Sequence, residues 1–323
     1  MSEDSESGEY TPLVSKERTQ TKEVSSLPGK VEPNDNRGKR FWFHDIPRPM
    51  FVRSKREMIA HYIQDYAAIF IGFIVYLAGV GLPYNEQFFS LNDPNFDRPV
   101  TDQVVPNKYA PFVFFFIPML FLIVFHVSFV RHKIDFHHML LGFFMANLIS
   151  GIPTTTLWFM VGGLRPDFLA DDCSPDMNKI MHWTGIRQKL YNDIVYFRPT
   201  EICMKKVIEF SFTNTPSFPS GHSSGAFASW LYVAIYVSNK VGAYKLSLGH
   251  VYKLLIMFTA IMLAASVGWT RILDHQHTAL HITVGTLIGI PGALLGYRIK
   301  FCGLFTKDAH IPNYYFWKTV QNK

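Results

Sequence analysis

The sequence predicts an all-α integral membrane protein of six transmembrane helices, with a long outer loop between the third and the fourth. Three observations predict it: repeated charge-free runs of bilayer length, basic residues gathered in alternate connections, and a polar composition concentrated in Met1 to Arg40. Over 323 residues the averages are ordinary, 48% hydrophobic and 17% charged. They conceal the apolar runs, which exclude a fully soluble globular protein. Collagen-like, coiled-coil and disulfide-scaffold classes fail too, because Gly numbers 21, no heptad persists and Cys numbers 3. A net charge of +6 needs no nucleic acid to explain it. Lys and Arg at cytoplasmic membrane edges set orientation and meet anionic lipid.

Met1 to Asn36 is rich in Ser, Glu, Lys, Thr and Pro and almost free of aromatics. Such a segment cannot bury enough apolar surface to offset its ordering entropy, so residues 1–40 are expected to be a disordered cytoplasmic tail. It lacks the basic start and short apolar core of a cleavable signal, which leaves targeting to the first membrane helix. Residues 41–62 continue a basic and aromatic stretch with Phe41, Trp42, Phe43 and Phe51, a composition suited to lipid headgroups. The membrane domain is expected over 63–300, followed by a cytoplasmic tail over 301–323.

Six segments lack Asp, Glu, Lys and Arg: Tyr66 to Asn85, Ala110 to Val130, Phe136 to Leu164, Ser223 to Ser238, Leu254 to Thr270 and Thr278 to Tyr297. Each predicts a membrane helix. Arg131 and Lys133, then Lys240, Lys245 and Lys253, then Arg298, Lys300 and Lys307 fall in alternate connections. The positive-inside bias places those connections and both termini in the cytoplasm. The segment from Arg165 to about His222 then lies outside and is too long for a turn, so a small folded cap is expected. Cys173 and Cys203 both fall in it, in a compartment that permits a disulfide, and the pairing is left open.

This topology brings the end of helix three, the start of four, the end of five and the start of six to one face. The unusual polar residues stand at those four places: Arg165; Ser220, Gly221 and His222; Arg271; and Asp274, His275, His277 and His281. Ionisable groups beside membrane helices are costly, which makes a site the default reading. Two arginines and a Ser-Gly helix start offer fixed donors to one anion, as a phosphoryl group requires. Of two histidines, one can attack phosphorus while the other donates a proton to the leaving oxygen and then activates water. No metal or other cofactor is needed for that chemistry. A metal reading of Asp274, His277 and His281 is the weaker one, because it leaves the Pro219-Ser-Gly-His222 element unexplained.

Phe218-Pro-Ser-Gly-His222-Ser-Ser resembles the second signature of the type 2 phosphatidic acid phosphatase (PAP2) superfamily. Gly163-Leu-Arg-Pro-Asp-Phe168 looks like its first signature, and Thr270-Arg271 followed by five residues and His277 looks like its third. The resemblance runs from about Tyr62 to Tyr297 and is nearest to the fungal lipid phosphate and diacylglycerol pyrophosphate phosphatases. It implies a six-helix lipid phosphatase in a PAP2-type bundle. The implied enzyme is independent of magnesium and acts on phosphatidate, lysophosphatidate or diacylglycerol pyrophosphate at the lumenal or extracellular leaflet of an endomembrane or the plasma membrane. Carried over, His277 is the nucleophile, His222 the general acid, and Arg165, Ser220, Gly221 and Arg271 hold the phosphate.

Two positions depart from the pattern. Where the first signature opens with Lys this chain has Trp158, and where the third closes with Asp it has His281. The lost Lys removes a positive charge from the phosphate cradle. The lost Asp removes the carboxylate that orients the nucleophile, which by analogy with serine triads costs about a thousandfold or more in turnover. His281 is expected to accept the His277 N–H, and Asp274 to compensate in part. Asp167, Asp171 and Asp172 read as a solvated loop face. Trp158 reads as filling space in the bundle. A catalytically impaired lipid-binding relative and a lipid phosphotransferase using the same site both stay open.

Overall fold

The computed structural model describes residues 55–83, 85–173, 175–176, 178, 180, 190–191, 194–203, 216–243, 251–306 and 308–313. The expected tail and residues 41–54 of the basic and aromatic stretch lie outside the described residues; residues 55–62 open the first helix. Six long helices follow one another: α1 (Lys55–Gly81), α2 (Asn107–Val130), α3 (Lys133–Val161), α4 (Gly221–Lys240), α5 (Val251–Leu273) and α6 (Ala279–Lys300). They match the six charge-free segments to within a turn or so at each end, except that α1 begins at Lys55, well before Tyr66. Two-residue strands β1 (Leu190–Tyr191) and β2 (Ile194–Val195) pair antiparallel between α3 and α4.

Five of the helices, all but α4, are long and apolar enough to cross a membrane. The sixth falls short for a physical reason. α4 sits at the centre, packed by α3, α5 and α6, with Ser223 to Lys240 almost wholly buried. A helix surrounded by protein need not be apolar all round, and small polar residues let its neighbours approach. Several of its polar side chains are spent on those neighbours. Ser223 Oγ meets Thr286 Oγ1 at 2.8 Å, Thr154 Oγ1 donates to Ser224 Oγ at 3.0 Å, and Ser229 Oγ donates to Asn147 Oδ1 at 2.9 Å. The peripheral helices show the reverse pattern. Phe70, Ile71 and Phe73 on α1, Leu120 on α2 and Met262 on α5 are exposed, as side chains facing acyl chains are.

The main core lies in the half of the bundle remote from the long outer loop. It joins Leu122 and Phe125 of α2, Met139 and Phe143 of α3, Tyr232 and Tyr236 of α4, and Ala293 and Tyr297 of α6. Close helix contact there depends on glycine. A Cβ at Gly296 would stand 2.6 Å from that of Ala146, and one at Gly289 would stand 2.5 Å from the Ser224 carbonyl oxygen. A buried polar cluster closes this end: Asp135 pairs with Lys240 and accepts from the Tyr236 hydroxyl at 2.6 Å, and that hydroxyl meets His126 Nδ1 at 2.8 Å. Residues 301–313 fold back onto it. Tyr297 Oη donates to the Ala309 carbonyl at 2.8 Å, and Lys240 to that of His310 at 2.6 Å. The first part of the expected tail is therefore a packed strap.

At the other end Phe89, Phe168, Phe197 and Ile202 form a second, smaller core under the outer connections. Phe89 and Phe197 exchange backbone hydrogen bonds at 2.9 and 2.8 Å, and Cys173 is disulfide-bonded to Cys203. Replacing both cysteines by serine is expected to cost about 2–4 kcal/mol, since the bridge restrains the unfolded chain. A lower temperature of half-inactivation, matched by reductant treatment of the unaltered protein, checks it.

Candidate functional site

Four chain segments meet above the N-terminus of α4. The first leaves α3 at Gly162, which adopts φ 73° and returns its N–H to the Trp158 carbonyl at 3.0 Å. An L side chain resists that left-handed turn, and here a Cβ would also collide with Asn85. The chain then enters the second core, so that Leu164, Arg165, Asp167 and Phe168 are all buried. Asp167 is thus not on a solvated face; its carboxylate accepts from Gln276 Nε2. An apolar side chain cannot pair a carboxylate in such a place, which makes Gln276 a necessary companion of Asp167.

The second segment is tied to the first. Ser217 N–H donates to the Gly163 carbonyl at 2.8 Å, and a cis peptide joins Phe218 to Pro219. Ser220 caps α4 by accepting the Ser223 N–H at 3.4 Å, and its own N–H reaches the His281 carbonyl at 3.0 Å. Trp158 lies against this turn. Its indole N–H donates to the Pro219 carbonyl at 2.9 Å, and a Cβ at Gly221 would stand 2.6 Å from its Cζ2. Trp158 therefore grips the turn that starts α4, which is more than filling space in the bundle. His222 follows in the first turn, beside Phe114, with ring centroids 6.1 Å apart.

The third segment carries Arg271 on the last turn of α5. Its side chain is fully buried and its Nη2 pairs with Asp274. The Asp274 carboxylate also accepts the Val104 N–H, at 3.1 and 3.2 Å. Asp274 therefore serves Arg271, and the expectation that it assists His277 is corrected. The reason is spacing: the Asp274 N–H still bonds helically to the Thr270 carbonyl at 2.9 Å, so Asp274 shares a face with Arg271 three residues back, whereas at His277 the chain has left the helical pattern. The N–H groups of Gln276 and His277 both donate to the Arg271 carbonyl, at 3.0 and 3.1 Å. His275 takes φ 55° and its Nδ1 meets the Pro99 carbonyl at 3.0 Å, turned away from the site.

His277 is buried and its ring faces that of His222, with centroids 6.3 Å apart. Its Nδ1 lies 2.8 Å from the Ser217 carbonyl oxygen. A carbonyl only accepts, so Nδ1 carries the proton and Nε2 keeps its lone pair. His281, expected to accept that N–H, instead places its own Nδ1 2.8 Å from Ser217 Oγ. Burial holds the His277 pKa well below the ordinary 6.5, and the charges of Arg165 and of neighbouring His222 and His281, when protonated, push the same way. Arg271 Nε and Nη1 and His222 Nε2 are sealed from solvent, and among the described residues they have no hydrogen-bond partner. Buried donors of that kind are costly unless a ligand meets them.

The structure thus brings Arg165, Ser220, Gly221, His222, Arg271, Asp274, His277 and His281 to one end of the bundle. Sequence reasoning missed Ser217, Gln276 and the α1 to α2 connection that supplies Val104 and Pro99. Val104 and Pro99 act through the main chain, which leaves no mark on residue type, and the side chains of Ser217 and Gln276 meet partners distant in sequence.

Residues 138–302 match the PAP2 superfamily. A Dictyostelium discoideum PA-phosphatase related-family protein is 28% identical over 86% of this chain and 73% of its own. Lipid phosphate phosphatase 2 of Arabidopsis thaliana is 29% identical over 68% of this chain and 69% of its own. Diacylglycerol pyrophosphate phosphatase 1 of Saccharomyces cerevisiae is 26% identical over 68% of this chain and 72% of its own. No solved structure matches the chain.

Proposed function

Because this chain belongs to the PAP2 superfamily, we propose that it is a membrane-embedded lipid phosphate phosphatase, acting on phosphatidate, lysophosphatidate or diacylglycerol pyrophosphate through a phosphohistidine. One observation carries the reading: a fully buried Arg271 keeps two guanidinium nitrogens unpartnered beside the unpartnered Nε2 of His222 and the facing ring of His277. An anion with several acceptor oxygens satisfies those donors together. Retention of such costly groups speaks against an impaired relative. The alternate basic connections support an outer, non-cytoplasmic site with both termini inside, and α4 as the sixth span.

In this reading the phosphoryl oxygens lie against Arg165, Arg271 and the amides at the start of α4, whose dipole favours negative charge. His277 Nε2 donates its lone pair to phosphorus as the ester P–O bond breaks. Protonated His222 gives its proton to the leaving oxygen, releasing the lipid alcohol, or phosphatidate where the bond broken is the anhydride of diacylglycerol pyrophosphate. Water then attacks phosphorus while neutral His222 takes its proton, the P–N bond breaks, and inorganic phosphate leaves. Charge spread over the equatorial oxygens is met by the two guanidinium groups.

Phosphate release from phosphatidate in detergent micelles, with chelator present, tests the function. Release that continues under chelation supports it, and background release overturns it. The pH profile follows from the depressed His277 pKa. Its neutral form is the nucleophile, so the lone pair survives as pH falls through 6.5, where an ordinary histidine is half protonated. The acid limb of kcat/KM is accordingly expected below pH 6.5. A limb centred at 6.5 in wild type would assign the nucleophile an unperturbed environment.

A further inference from the structure

We propose that Ser217 is a positioning residue for the nucleophile, fixing His277 through its main-chain carbonyl while His281 holds that carbonyl in place through the Ser217 hydroxyl. The proposal rests on the phosphohistidine reading above. Ser217 is fully buried between the two histidines. Its carbonyl oxygen accepts the His277 Nδ1–H at 2.8 Å, and its Oγ donates to the Gln276 carbonyl at 3.1 Å. A serine hydroxyl has one hydrogen; with it on the Gln276 carbonyl, the 2.8 Å contact of His281 Nδ1 with Ser217 Oγ runs from the imidazole N–H to the oxygen, as does the longer 3.3 Å contact of His277 Nδ1 with the same oxygen. In that arrangement His281 donates to Ser217 Oγ, and Ser217 Oγ donates to the Gln276 carbonyl.

The consequence is a relay without formal charge. A carbonyl fixes the tautomer of His277 as a carboxylate does, but adds no negative charge beside the phosphate cradle. The hydroxyl keeps the carbonyl in place. It is anchored on one side by the chain entering His277 and on the other by the first turn of α6, while the Ser217 N–H holds Gly163 at 2.8 Å. Loosening that anchor lets the His277 ring swing away from in-line attack, and misplacement on the 1 Å scale is costly in kcat.

A double-mutant cycle on phosphate release tests this, with kcat and KM separated. Ser217→Ala is expected to lower kcat about 10- to 100-fold with KM changed less than about threefold. His281→Ala is expected to lower kcat on the same scale, and the double variant no further than the worse single, because both remove one connection. Ser217→Thr keeps the hydroxyl and is expected to restore most of kcat. Losses that multiply in the double variant, or full kcat in either single alanine variant, would overturn the relay. Should Ser217→Ala fail to fold, the fall in kcat with His281→Ala and its absence with Ser217→Thr decide the matter. A His277→Ala control separates the two ideas: phosphate release unaffected there defeats the phosphohistidine reading, whereas its abolition beside a multiplicative cycle defeats the relay alone.

Discussion

Membranes carrying His277→Ala are expected to release phosphate from phosphatidate at the rate of membranes lacking the protein, a fall of at least about a thousandfold. The expectation rests on the absence of a substitute nucleophile: His222 must supply a proton in the first step, and His281 is engaged with Ser217. His222→Ala is expected to behave differently. It removes the proton donor while leaving the attacking nitrogen, so loss should be smaller for substrates with a good leaving group, and about 10²–10⁴-fold for phosphatidate. His222→Ala mixed with an activated aryl phosphate and quenched in alkaline detergent should then accumulate a base-stable, acid-labile phosphoenzyme that His277→Ala never forms. Equal activity of wild type and His277→Ala would overturn the assignment.

The helices were legible because a bilayer leaves so strong a mark on composition. Charge-free runs located all six, and the basic connections brought the correct four helix ends together before any geometry was known. α4 shows where composition stops. As the helix at the centre it carries Ser, Asn and Tyr side chains toward α3 and α6, and these lower its apolarity. The site was legible in residue type and misread in connectivity. Asp274 was close in sequence to His277, yet helical spacing gives it to Arg271. Asp167 looked solvated because its partner Gln276 lies 109 residues away. The two departures are easier to understand together than apart. Trp158 removes a positive charge and His281 removes a negative one, so the formal charge of the site is unchanged. Both places lean on main chain instead: Trp158 donates to the Pro219 carbonyl, and the Ser217 carbonyl takes the His277 N–H that a carboxylate would orient. A thousandfold penalty for losing the carboxylate therefore does not follow.

Arg271→Lys is expected to lower kcat about 10²–10³-fold with a raised KM, despite the preserved charge. A guanidinium spends one nitrogen on Asp274 and keeps Nε and Nη1 unpartnered in one fixed plane, which the proposed mechanism gives to the phosphate. An ammonium is a single point, and Asp274 would draw it off the phosphate. Arg271→Ala should be worse still, because it leaves the Asp274 carboxylate buried and unpaired where a dianion must bind. This gives the pair a signature that a simple loss of charge lacks. Asp274→Asn alone frees the guanidinium fork and is expected to cost about tenfold, chiefly in kcat. Added to Arg271→Ala, however, it removes the repelling charge and should recover part of the lost binding. The comparison of KM across wild type, both single variants and the double variant decides it. A double variant that binds substrate no better than Arg271→Ala, or an Asp274→Asn enzyme of unchanged activity, would remove Asp274 from the anchoring of Arg271. Such an outcome would leave the Val104 amide as the sole contact that accounts for the buried carboxylate.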